Sequence, residues 1–167
     1  MIRIGSRVAF VVSLNLLWLL ASGCTPPFPK ETLERVNRNI TFRELRNDPN
    51  QHTGSWVMLG GMIVSAKNTK EGTLIEILQK PLDNEGRPLQ TDATDGRFLL
   101  LSASFLDTAV YHPGRLVTAV AEVAGKRELP LDDVMYQYPF CTVHELHLWG
   151  PSSGPRFMFG VGVSGRF

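Results

Sequence analysis

Hydrophobic and polar positions divide the chain into three unlike stretches. From Val8 to Ala21 it is apolar apart from Ser13 and Asn15, with Arg3 and Arg7 ahead of the run. As a helix this run is about 21 Å long at 1.5 Å per residue, short of the ~30 Å hydrocarbon core of a bilayer. A basic start, a short apolar run and the small residues Ala21-Ser22-Gly23 form the three-part plan of an export signal. From Thr25 to about Asn39 the pattern turns polar, and Pro26, Pro27 and Pro29 stiffen it toward polyproline II, predicting a tether over 24–40. Thr41-Phe42-Arg43-Glu44-Leu45 then predicts a capped helical turn, with Thr41 as cap, Glu44 three residues on, and Phe42 and Leu45 on one face. Pro49 ends it.

Past Gly54 the period changes, and aliphatic and β-branched runs alternate with turn signals. Trp56 to Val64 is the first predicted strand, and Gly60-Gly61 inside it suggests a bulge or sharp coil. Thr73 to Gln79 is the second, after a turn at 68–72; residues 81–96 form a polar loop or hairpin; Arg97 to Ser102 is the third. After a connection at 106–114, Arg115 to Ala124 is the fourth. Val117, Ala119, Ala121 and Val123 make one of its faces and Leu116, Thr118 and Val120 the other, so both are covered, which favours a closed barrel over an open sheet. Met135 to Phe140 and Thr142 to Trp149 supply one or two more strands, with Pro139 at a bend or an edge. The predicted fold is all-β: a small Greek-key, OB-like barrel of five to six strands over 41–150, with a short N-terminal helical turn. Residues 151–167 alternate Phe157, Phe159, Val161 and Val163 with small residues, predicting a flexible Gly-rich tail or an added edge strand. A single such strand cannot close a barrel in lipid.

Leu20-Ala21-Ser22-Gly23-Cys24 resembles a lipobox, with Ala21 where the motif usually has Leu. That resemblance implies a signal peptide over 1–23, cleavage between Gly23 and Cys24, and acyl chains such as palmitate on Cys24. Each buried CH₂ contributes about 0.8 kcal/mol, so several chains hold a protein almost irreversibly. Losing Arg3 and Arg7 from 17 basic residues leaves 15 against 16 acidic, a charge near −1. Nothing in the chain concentrates Lys and Arg for nucleic acid, which is not an expected partner. Of two cysteines, Cys24 would be acylated, so Cys141 has no partner for a disulfide and is expected to be buried as a small hydrophobe.

The strand region also carries Gly54 and Val57 before Gly60-Gly61, Pro81-Leu82-Asp83, Gly96-Arg97-Phe98, Phe105-Leu106-Asp107, Tyr136 with Tyr138-Pro139, and Leu146 to Trp149. In this order and spacing the chain resembles the Slp family of starvation-inducible outer-membrane lipoproteins. The resemblance implies an outer-membrane lipoprotein associated with stationary phase or envelope stress, and no known enzymatic activity. In the sorting logic of such lipoproteins, Thr25 rather than Asp after the acylated cysteine implies release to the outer membrane.

Candidate chemistry is sparse. His144 and His147 flank Glu145, but in a regular strand positions three apart face opposite ways. Glu145 and His147 share a face, and folding could bring in His52 or His112 to complete a metal or ligand site; the plain alternative is two part-exposed histidines on an edge strand. Glu76, between Ile75 and Ile77, is expected to turn toward the core side and pair with Arg97 or Arg115. Asp83, Asp107, Asp132 and Asp133 lie where their side chains bond local backbone. Neither a Gly-x-Ser-x-Gly elbow in a strand–turn–helix context nor a phosphate-cradling loop with lysine is present, so no enzyme and no cofactor is expected. The expected partners are the membrane, through the lipid, and an envelope protein or cell-wall component; a periplasmic binding module for a small ligand or metal is the other reading.

Overall fold

In a computed structural model, described for residues 27–150, five strands close into a barrel. They are β1 (Trp56–Thr69), β2 (Gly72–Gln79), β3 (Arg97–Ser102), β4 (Leu116–Leu131) and β5 (Val134–Leu148), in the ring order β1-β2-β3-β5-β4. All pairs are antiparallel except β3 with β5, which run parallel through Leu99↔Phe140, Leu100↔Cys141 and Leu101↔Thr142. β5 therefore inserts between β3 and β4, the over-crossing that makes the path a Greek key.

Alternation decides which side chains fill the barrel. Ile75 and Ile77 of β2, Phe98 and Leu100 of β3, Val117, Ala119, Ala121 and Val123 of β4, and Cys141 of β5 are at most 1% exposed and form one core. The small alanines of β4 stand among the large residues of the other strands, so the interior is packed rather than hollow. Burial pushes the Cys141 thiol up to about 12.

The N-terminal helical turn closes one end of this core. Helices α1 (Lys30–Glu34) and α2 (Phe42–Asn47) precede the barrel. At α2 the Thr41 side chain accepts from the Glu44 amide at 3.3 Å while Glu44 Oε2 accepts from the Thr41 amide at 2.8 Å, a complete capping box. Donation from the Thr41 amide, and from the Thr41 hydroxyl at 2.8 Å, to Glu44 Oε2 holds that carboxyl below its usual range. The cap aims Phe42 and Leu45 inward, and the Phe42 ring meets Phe98 at 5.6 Å. Pro49 opens a 3₁₀ turn, Pro49–His52, that leads into β1.

Two features differ from the sequence-based expectation, and the choice between one and two final strands is settled as one. The bulge in β1 falls at Val64, between Ile63 and Ser65, and not at the glycine pair. Gly60 and Gly61 instead mark where β1 passes from pairing with β4 to pairing with β2, and a Cβ at Gly60 would lie 2.8 Å from Val117 O. β5 is one strand, because Pro139 falls just outside the three residues that pair with β3. Most of the expected tether also belongs to the fold: Phe28 is 5% exposed and the Asn37 amide donates to Trp56 O at 2.8 Å. Prolines and polar residues describe the exposed side of this segment, while one phenylalanine fastens it. The Gly-rich tail 151–167 lies outside the described residues.

Beyond the barrel proper, β4 and β5 continue as a two-stranded ribbon. Its Leu129, Tyr136, Tyr138 and Phe140 pack with Leu74, Leu99 and Leu101, on the face of β2 and β3 opposite the core. Arg127 lies 3.8 Å above the Phe140 ring and reaches Glu71 at 3.1 Å. The loop 80–96 covers another part of the outside, where Thr118 donates to Gly86 O at 2.6 Å.

Candidate functional site

Gly23 and Cys24 lie outside the described residues. The four candidate ligands are described, and the fold does not bring them together. His52 ends the 3₁₀ turn, and His112 Nδ1 lies 2.8 Å from Pro113 O. Glu145 stands opposite Val120, while the His147 ring is held between Phe28 and Trp149 at 6.3 and 4.4 Å. Among the described residues no group of three His, Cys, Asp or Glu side chains is placed to hold a metal. The expected opposite facing of His144 and His147 also fails. A register shift makes Glu145 face Val120 and Val143 face Ala121, so His144 is an extra residue. The bulge lays its ring on Trp56 at 3.8 Å and its Nε2 3.2 Å from Glu122 Oε2.

What the fold assembles instead is an aromatic and basic surface over β1, β4 and β5. Arg35 lies 3.6 Å above the Trp56 ring, on which His144 also stacks. Trp149 donates from Nε1 to Thr118 at 2.9 Å, and its ring takes Arg87 at 5.2 Å. Arg87 also donates to Gly150 O at 3.2 Å, and Arg115 to Trp149 O at 3.1 Å. Each indole thus carries a cation over its ring, an arrangement whose attraction grows as water is removed. The tryptophans, arginines and Phe28 are far apart in the chain, and no spacing rule joins them.

Two open clefts flank the 80–96 loop. One, of about 270 Å³, is lined by Met62, Lys80, Leu89, Thr91 and Leu116, with Lys80 9% exposed and donating to Thr91 O at 2.7 Å. The other, of about 220 Å³, lies between Phe28, Leu33, Arg38, Met58 and Glu85. Both are smaller than the ~300–1,000 Å³ typical of small-molecule sites.

Glu76 does pair with Arg97, at 2.7 Å, but on the outer face of β2 rather than in the core. Alternation requires this, since Ile75 and Ile77 occupy the inside. Tyr138 donates to the same carboxylate oxygen at 3.1 Å and Ser65 to the other at 3.3 Å. Burial, then the adjacent Glu76 charge and hydrogen bond, push the Tyr138 phenol up to about 12. A folded value above the unfolded one means that Tyr138 contributes stability below about pH 10, and that this is lost as pH rises toward 12. Absorbance titration of tyrosinate is therefore expected to show a late step centred at about pH 12 that Tyr138→Phe removes; a Phe variant with an unchanged titration curve would contradict the assignment.

A filled five-stranded barrel that carries an aromatic and basic face defines a small all-β domain. None of the described helices is long and apolar enough to cross a membrane. The family model for the outer membrane lipoprotein Slp family matches residues 21–158. The chain belongs to that family, and its place is the outer membrane, held there by lipid. It is similar to the outer membrane protein Slp of Escherichia coli (strain K12), with 26% identity over 136 residues, covering 81% of this chain and 72% of the relative.

Proposed function

We propose that the mature protein begins at Cys24, carries its acyl chains on that residue, and serves the outer membrane in starvation or envelope stress without catalysis, as a structural or protein-contacting component. The observation that carries this reading is the filled interior. A barrel whose inward apolar side chains are at most 1% exposed along β2 to β4 offers a ligand no chamber, which favours surface contact over a small-molecule site. Apolar groups available for contact stand at the turns: Phe105 is 70% exposed, Val134 62% and Met135 65%. Exposed apolar groups of this kind are commonly used in protein contacts.

The test uses intact cells, comparing the wild-type chain with Cys24→Ser and carrying a photocrosslinker at Phe105 or Met135. Wild type is expected in the outer membrane with an acylated N-terminal cysteine by mass, and Cys24→Ser in the soluble fraction. During starvation a discrete protein adduct is expected from the anchored form. An unmodified, soluble wild-type product would sink the anchoring, and anchored protein that yields no adduct at either site would sink the contact role.

A further inference from the structure

The described chain begins at Pro27, and Phe28 is fixed to the barrel with 5% exposure beside His147. Cys24 is three residues before Pro27. At no more than ~3.6 Å per residue, three residues span at most about 11 Å, whereas a tether running to residue 40 would reach several times further. A headgroup layer is itself roughly 5–8 Å deep on each side of the hydrocarbon core. Resting on the reading of Cys24 as the lipidated residue, the chain leaves little room between the bilayer and the face from which Pro27 emerges.

The chemistry of that face suits the contact. Arg35 and Arg38 are exposed just past α1, and Arg87 lies over Trp149 on the neighbouring loop. Arginine beside tryptophan is an interfacial pairing: the guanidinium meets phosphate oxygens while the amphipathic indole sits at headgroup level. Nearby acids are partly engaged, Glu34 with Lys30 at 3.6 Å and Glu122 with His144 at 3.2 Å; Glu31 and Glu85 are exposed.

We propose that this face, formed by the N-terminal segment, Arg35, Arg38, Arg87 and the two tryptophans, docks on the headgroup layer of the bilayer that holds the anchor and prefers anionic phospholipid. The barrel then rests on the membrane instead of swinging on a long stalk. Phe105 is left away from the bilayer, since its loop is tied to the far end of β1, where Asn68 donates to Leu106 O at 3.3 Å.

The experiment uses residues 24–167 made without a signal and coupled through Cys24 to a maleimide phospholipid in vesicles. Cys141 is fully buried, so coupling is directed to Cys24. Trp56 and Trp149 are then the only tryptophans, and both lie on the proposed face. With a nitroxide quencher at headgroup depth, fluorescence is expected to fall, more so in phosphatidylethanolamine containing phosphatidylglycerol than in pure phosphatidylcholine. Arg35→Glu with Arg38→Glu is expected to weaken docking by about fivefold or more per residue, while Lys67→Glu with Lys70→Glu at the far end of β1 leaves it unchanged. Circular dichroism confirms that both variants are folded. Unquenched tryptophans, or equal effects of the two pairs, would overturn docking while leaving the anchor standing. A wild-type protein from cells without acyl chains on Cys24 would overturn the proposal in the cell, whatever the vesicles show.

Discussion

Gly61→Ala is expected to destabilise the barrel severely. A Cβ at Gly61 would run into the carbonyl oxygen of Leu78 and come within 2.8 Å of Ile77 Cγ2. The carbonyl cannot step aside, because Leu78 pairs with Met62 of β1 on one side and Arg97 of β3 on the other, while Gly61 itself is held between Gln79 and Val117. Overpacking against fixed backbone belongs at the severe end of single substitutions, about 3 kcal/mol or more. That is a large share of the ~5–15 kcal/mol that holds an ordinary domain together. At very roughly 4 °C per kcal/mol, the melting temperature should fall by about 12 °C or more. Gly54→Ala is the comparison: Gly54 has φ +84° but nothing within 4 Å of an added Cβ, so only conformational strain of about 1 kcal/mol applies. Equal losses at the two positions, read by thermal and urea unfolding of the unlipidated chain, would show that close strand approach is not what Gly61 provides.

Phe98→Ala should have the next largest effect, about 3–5 kcal/mol, as expected for a buried aromatic whose loss leaves a cavity. Phe98 is fully buried in the core and its ring meets Phe42 of α2. The loss should therefore appear first at α2, as faster hydrogen exchange of the Phe42–Asn47 amides, before the strands open. Phe98→Leu, which keeps most of the volume, should lose clearly less. A cost below about 1 kcal/mol for Phe98→Ala, or exchange unchanged at α2, would mean that the helix is not held by this contact.

Much of the barrel is legible along the chain because its causes are local. Arg97 to Ser102 is bounded by turn residues and emerges as β3 without change. The inner face of β4 follows from alternation alone, since Val117, Ala119, Ala121 and Val123 recur every second residue. Thr41 and Glu44 specify their capping box within four residues. The family is likewise legible along the chain, its model matching residues 21–158 in order.

The site is less legible, because its parts meet only through pairing between distant strands. Glu76, Arg97, Tyr138 and Ser65 converge across β1, β2, β3 and β5, and only Arg97 as partner of Glu76 is suggested by the sequence. His144 reaches Trp56 through a bulge, and a bulge depends on how two strands share hydrogen bonds, which neither strand's own pattern records.

The sequence by itself determined the strand alternation and the capped helix, because hydropathy period, capping and turn chemistry act within a few residues. Only the tertiary structure decided that Phe28 ties the N-terminal segment to the barrel, that β5 runs parallel to β3, and that Glu76 faces outward beneath Tyr138. These depend on contacts such as Phe28 with His147 and Leu99 with Phe140, which gain their energy only once the ring has closed.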